Sequence, residues 1–217
     1  MPEPKKPFRH PHDKRGGTKQ GFRGRGRLRR EGPRPHQPHP VREILEHTAM
    51  LNGDEKPIPP LEPGNIRIIP LGGVEEIGRN MTMVEFGDDI IVVDCGFQFR
   101  EDETPGVDYI LPNTKYLEER REKIRGLFIT HGHLDHIGGI PYLIDRIGYP
   151  PVYTRGLTAV MIRKRQEEFP NLKPLDIHEV DKDDTIKAGD LRVRFFSVYH
   201  TIPDSMGIVI ETPYGDI

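Results

Sequence analysis

The run Thr130-His131-Gly132-His133-Leu134-Asp135-His136 places three imidazoles and a carboxylate within six residues. Imidazole with carboxylate is a zinc-type ligand set. His131 and His133 stand two apart, and in extended chain such side chains point the same way, so both rings can face one ion. Asp135 and His136 then turn toward a second ion close by. Two ions roughly 3.5–4 Å apart can share a hydroxide and clamp the attacking and leaving oxygens of a phosphoryl displacement. A plain histidine cluster on the surface or in the core would account for one of these rings, but not for three with an aspartate in this order. One loop cannot complete two coordination shells. His200 is the best additional ligand, because it ends an expected strand, Leu191 to Tyr199, and active-site groups commonly sit where a strand passes into a loop.

Elements must position these groups. Ile124 to Ile129 reads as a buried strand leading into the histidine run, and Ile137 to Ile147 as a helix with an apolar face of Ile140, Leu143, Ile144 and Ile147. Ile66 to Leu71 reads as a strand ending at Gly72-Gly73. Met81 to Phe86 and Asp89 to Asp94 read as a hairpin turning at Gly87-Asp88. Tyr116 to Lys123 and Leu157 to Phe169 are expected helices, the second with a basic, solvated centre at Arg163, Lys164 and Arg165. Pro151 to Thr154, Leu175 to Val180 and Gly207 to Glu211 complete the expected strands. Mixed strands and helices indicate layered sheets with outer helices, an α/β class.

The charge is divided unevenly along the 217 residues. Residues 1–40 hold 12 Lys+Arg against 3 Asp+Glu, a net of +9, while the whole chain carries −2. This arm has only three large apolar residues, Phe8, Phe22 and Leu28, so it is expected to be a disordered basic tail. Its Gly21-Phe22-Arg23-Gly24-Arg25-Gly26-Arg27 run suits weak, sequence-tolerant binding of nucleic acid backbones, or serves only as a solubilising leader. Residues 41–64 read as a short helix, Val41 to Met50, and a proline-rich linker, with a folded domain over 65–217. Cys95 is the only cysteine, which excludes an intrachain disulfide and fits a reducing cytoplasm. No apolar run approaches membrane-spanning length.

His131-x-His133-x-Asp135-His136-x-Gly138-Gly139 resembles the metallo-β-lactamase superfamily. Three further segments look like its ribonuclease J branch, among the β-CASP ribonucleases. They are Ile69 to Met81 (Ile-Pro-Leu-Gly-Gly-Val-Glu-Glu-Ile-Gly-Arg-Asn-Met), Val93-Asp94-Cys95-Gly96, and His200-Thr201-Ile202-Pro203-Asp204-Ser205. The likeness covers about 65–217. It implies an αββα sandwich, of which this chain holds the N-terminal half, truncated before the β-CASP insert. It implies two zinc ions, with manganese or magnesium able to stand in. His131, His133 and His200 would hold one ion and Asp135 and His136 the other, Asp135 and His136 being the catalytic pair. Asp94 would support the metal loop by hydrogen bonding. The family's bridging aspartate and last histidine fall later in the sequence, and Asp216 is not assigned to that role.

The implied activity is a zinc-dependent ribonuclease in RNA processing and decay. It would act from the 5′ end with additional internal cleavage, in the cytoplasm, as a homodimer or homotetramer, with an RNA-decay complex as a further partner. A thioesterase-type hydrolase on the same scaffold, or a non-catalytic RNA-binding or assembly fragment, are the alternatives. Asn80 is a candidate substrate contact. Ser205 either positions phosphate or caps a turn. Gly72, Gly73 and Gly78 match neither the dinucleotide nor the P-loop spacing and read as a tight loop near the metals. Cys95 reads as a small buried residue and His178 as structural.

Overall fold

The computed structural model describes residues 58–99 and 106–217. The expected basic tail, the helix Val41 to Met50 and the first part of the linker lie outside them. One compact unit spans Ile58–Ile217. Its strands and helices are, in chain order, β1 (Ile66–Gly72), β2 (Met81–Phe86), β3 (Asp89–Val93), β4 (Gln98–Phe99), β5 (Tyr109–Ile110), α1 (Lys115–Glu118), β6 (Ile124–Phe128), α2 (Leu134–Ile137), α3 (Ile140–Leu143), β7 (Val152–Thr154), α4 (Gly156–Gln166), β8 (Ile177–Glu179), β9 (Thr185–Ala188), β10 (Leu191–Ser197), β11 (Met206–Thr212) and β12 (Gly215–Asp216).

Six strands form one sheet in the order β1-β2-β3-β6-β7-β8, four form a second in the order β12-β11-β10-β9, and β4 pairs with β5. β1, β2 and β3 run antiparallel, whereas β3, β6, β7 and β8 are parallel. Parallel strands need both faces covered, and the side-chain alternation shows how that happens here. Met81, Met83, Ile90, Val92, Leu127 and Ile129 join one core with Ile137, Ile140, Leu143, Ile144, Ile147 and Ile162 of the helical side. Val84, Ile91 and Phe128 face the other way, into a core with Leu191, Val193, Phe195, Met206 and Ile210 of the small sheet. The described residues therefore stack as a helical layer, the large sheet and the small sheet. Asp89, itself buried, ties the two sheets: it accepts from Arg125, and its Oδ2 accepts the Asp190 N–H at 2.6 Å in the β9–β10 turn.

Several expected elements change. The expected helix Ile137 to Ile147 shortens to the single turn α3 with turns after it, and α2 is a separate turn before Gly138-Gly139. Gly138 and Gly139 keep helical backbone and admit close neighbours: Gly138 lies against the Phe97 ring, and a Cβ on Gly139 would sit 2.5 Å from the Gly96 carbonyl oxygen. The four apolar residues named for that helix are nonetheless all buried. The helix over Tyr116 to Lys123 shrinks to α1 followed by a 3-10 turn, Arg121–Lys123. The strand Leu175 to Val180 reduces to β8. Arg165 does not belong to a solvated face. It is half-buried, with its guanidinium 5.6 Å from the Phe97 ring centre and 5.8 Å from that of Phe169.

Candidate metal centre

β6 delivers the site. It is buried along most of its length, and it ends where Thr130 turns the chain into the histidine run. His131 is 7% exposed. His133 has extended backbone (φ −69°, ψ 148°) and opens α2, whose single turn carries Asp135 and His136. His131 Nε2 lies 3.1 Å from His133 Nδ1, as expected for side chains two apart in extended chain. His200 arrives from the small sheet. β10 ends at Ser197, so His200 sits three residues past the strand rather than at its end. Its ring centre lies 4.5 Å from that of His131 and 5.0 Å from that of His133. Ligand atoms of His131, His133 and His200 all fall within 4.8 Å of one another.

Asp135 and His136 form an adjacent pair, with Oδ2 and Nε2 3.4 Å apart. Zinc bonds of about 2.0–2.1 Å at tetrahedral angles place two donor atoms about 3.3 Å apart. Both the His131–His133 and the Asp135–His136 separations fit that requirement. The donor chemistry suits a divalent cation of the zinc or manganese type.

Hydrogen bonding sets which nitrogen each ring can offer. His136 Nδ1 lies 2.8 Å from Asp94 Oδ2, so it donates there and leaves Nε2 with its lone pair beside Asp135. Thr130 Oγ1 donates to Asp94 and accepts from His131 Nδ1 at 2.9 Å, which likewise frees the His131 Nε2. These tautomers follow from the network as a whole. Burial first, and then the neighbouring histidines, push the His131 pKa down to about 4, so the ring is neutral at physiological pH. Burial also acts downward on His136, but the Asp94 hydrogen bond and charge outweigh it and raise its pKa.

Asp94 itself has φ 61° and also accepts the Thr130 N–H at 2.8 Å. Asparagine tolerates that backbone, so Asp94→Asn changes the chemistry alone and sets an amide donor against the His136 Nδ1–H or the Thr130 N–H. Zinc affinity is expected to fall about 10- to 100-fold, as for other ligand-orienting partners. A zinc titration showing unaltered affinity would remove this role from Asp94.

The loop bearing His200 is pinned at several points. Met206 N–H donates to Thr130 O at 3.0 Å, and Ser205 O accepts from Val198 N at 3.2 Å. The buried Ser205 hydroxyl donates to Ile202 O at 3.0 Å, closing the turn. Asp204, at φ 68°, accepts the Leu157 N–H at the start of α4 at 3.0 Å. Thr130 and Asp204 hold the candidate ligands and their loop in place, a role not singled out in the sequence although both lie inside the motifs above. Their signal was a hydroxyl or carboxylate one or four residues from a ligand. Asn80 lies against Asp135 and His136. His178 stacks on Tyr153, with ring centres 5.1 Å apart, and pairs with Asp176, away from the metal ligands. Cys95 is fully buried, and burial pushes its thiol pKa far up, which suits a packing residue.

Residues 74–217 match the model of the metallo-beta-lactamase superfamily. The chain belongs to the metallo-β-lactamase superfamily. Within it, ribonuclease J of Thermus thermophilus is 43% identical over 160 residues, covering 70% of this chain and 28% of that protein. Ribonuclease J of Mycoplasma pneumoniae is 38% identical over 151 residues, 70% of this chain and 26% of the relative. Ribonuclease J2 of Bacillus subtilis is 39% identical over 153 residues, 70% and 27%. The chain thus spans about a quarter of the length of these relatives. Among solved structures, a protein of unknown function from Enterococcus faecalis shares the fold, with a TM-score of 0.52 at 21% identity, over 68% of this chain and 41% of that one. Among the described residues of this superfamily member, no helix is long and apolar enough to cross a membrane.

Proposed function

We propose that this chain carries the metal-binding part of a ribonuclease that hydrolyses RNA phosphodiesters. The observation that carries the reading is the pairing of two donor sets, His131, His133 and His200 beside Asp135 and His136, held by the Asp94–Thr130 network. The names of relatives at 38–43% identity supply the substrate class. Zinc is the preferred ion on ligand type, with manganese or magnesium as substitutes. Bound ions would supply Lewis-acid stabilisation of phosphate charge and a nucleophile at neutral pH.

The chain's own residues provide the rest. Burial keeps His131 neutral and ready to ligate. Asp94 fixes the ring of His136, and the Ser205 and Asp204 bonds hold the loop that presents His200. Cleavage from the 5′ end with additional internal cutting, a role in RNA decay in the cytoplasm, and a dimeric or tetrameric full-length protein belong to the same proposal. Asn80, beside Asp135 and His136, is the candidate substrate contact, whereas the Ser205 hydroxyl is engaged in closing its own turn.

The test is zinc content and cleavage of a 5′-monophosphorylated RNA by the full-length protein. Two zinc equivalents and cleavage that stops on chelation and returns with zinc are expected. Metal-independent cleavage, or a zinc-loaded protein inert to RNA but active on thioesters, would overturn the reading.

A further inference from the structure

We infer that Asn80 is a positioning residue for the second metal ion, its carboxamide holding the Asp135 and His136 donor atoms together. The inference rests on the two-ion reading above. Asn80 Nδ2 lies 3.0 Å from Asp135 Oδ2, 3.1 Å from Asp135 O and 3.2 Å from His136 Nε2. All three are acceptors once His136 Nδ1 donates to Asp94. A reversed amide would press its oxygen onto three acceptors, so the chemistry fixes the NH2 group inward. The NH2 group thus faces the lone pairs of Asp135 Oδ2 and His136 Nε2 and holds these two atoms, 3.4 Å apart, in a fixed relation.

The surrounding backbone is built for this placement. Asn80 N–H donates to Asp135 O at 3.1 Å, and Asn80 O accepts from Gly96 N–H at 2.9 Å. A Cβ on Gly73, at φ 86°, would lie 2.5 Å from Asn80 Oδ1, so only glycine admits the carboxamide there. This gives the Gly72-Gly73 turn a physical purpose: it makes room for Asn80. An entering ion takes the His136 lone pair from the amide, while the bond to the Asp135 backbone carbonyl keeps the side chain in place to steady the carboxylate.

Zinc titration of the full-length protein tests this, with Asn80→Ala and Asn80→Leu as variants. Leucine keeps the branched skeleton of asparagine, is bulkier and lacks its donors, so it leaves no cavity and serves if the alanine variant does not fold. In both variants the second zinc equivalent is expected to bind about 10- to 100-fold more weakly, with the first changed less than about threefold. In the unsubstituted chain, the Asn80 side-chain amide signals, identified by their loss in Asn80→Ala, should shift with the second equivalent and not the first. If both equivalents weaken alike, or neither changes, Asn80 does not position the second ion. If the unsubstituted full-length protein takes up only one zinc, the two-ion reading itself fails.

Discussion

His133→Ala is expected to reduce RNA cleavage by the full-length protein at least about a thousandfold, with the fold intact. The ring supplies one of three nitrogens grouped within 4.8 Å. Removing it leaves the first ion with two protein donors from this group. A thousandfold loss corresponds to about 4 kcal/mol of transition-state stabilisation, the upper range for deleting one preorganised electrostatic contact. The backbone has no comparable stake in the side chain. His133 makes no side-chain cap to α2, and its carbonyl accepts the His136 and Ile137 N–H groups, as alanine's would. Stability of the metal-free chain should therefore change by no more than about 0.5 kcal/mol. Zinc content, a melting curve and cleavage rates check all three statements together. Activity within a few-fold of the parent would remove His133 from the metal centre.

The sequence exposed the parts of this site that depend on local periodicity. Met81 to Phe86 and Ile124 to Ile129 form the strands their apolar, β-favouring residues predict, the second ending one residue earlier, at Phe128. The histidine run was legible because its ligands are contiguous. What stayed hidden depends on contacts between distant segments. The apolar spacing of Ile140, Leu143, Ile144 and Ile147 marked one buried face, but the helix stops after Leu143 and the chain continues as turns to Gly148. The short strand β9 has too few residues to show a period, and its place comes from pairing with β10. Arg165 reads as solvated on its own helix, and only the fold brings Phe97 to it from 68 positions earlier. Asn80 stands 55 residues from Asp135, so its contacts with the metal turn could not be read from spacing.

Gly96→Ala is expected to be among the most damaging single-methyl changes in the chain. Residues Asp94 to Gly96 run directly against the metal turn, backbone on backbone. Cys95 N–H donates to His136 O at 2.8 Å, Gly139 N–H donates to Cys95 O at 2.9 Å, and Gly96 N–H donates to Asn80 O at 2.9 Å. A Cβ on Gly96 would fall far inside contact distance of the Asp135 carbonyl carbon and oxygen. No flexible side-chain end is available to move aside, so the turn carrying Asp135 and His136 must shift or the sheet edge must open. Overpacking of this kind costs about 3 kcal/mol or more when backbone has to move. For a domain of this size that lowers the melting temperature by roughly 6–12 °C. The second zinc equivalent should be lost as well, because the displaced turn carries both of its donors. Gly87→Ala is the control for a methyl added where there is room. Gly87, unlike Gly96, has a left-handed backbone, φ 58°, and nothing lies within 4 Å of its Cβ position. Only the conformational cost remains there, about 1–2 kcal/mol, with zinc binding unchanged. Equal destabilisation by the two substitutions, or full zinc uptake by the Gly96→Ala chain, would show that the close approach of these backbones does not hold the metal turn in place.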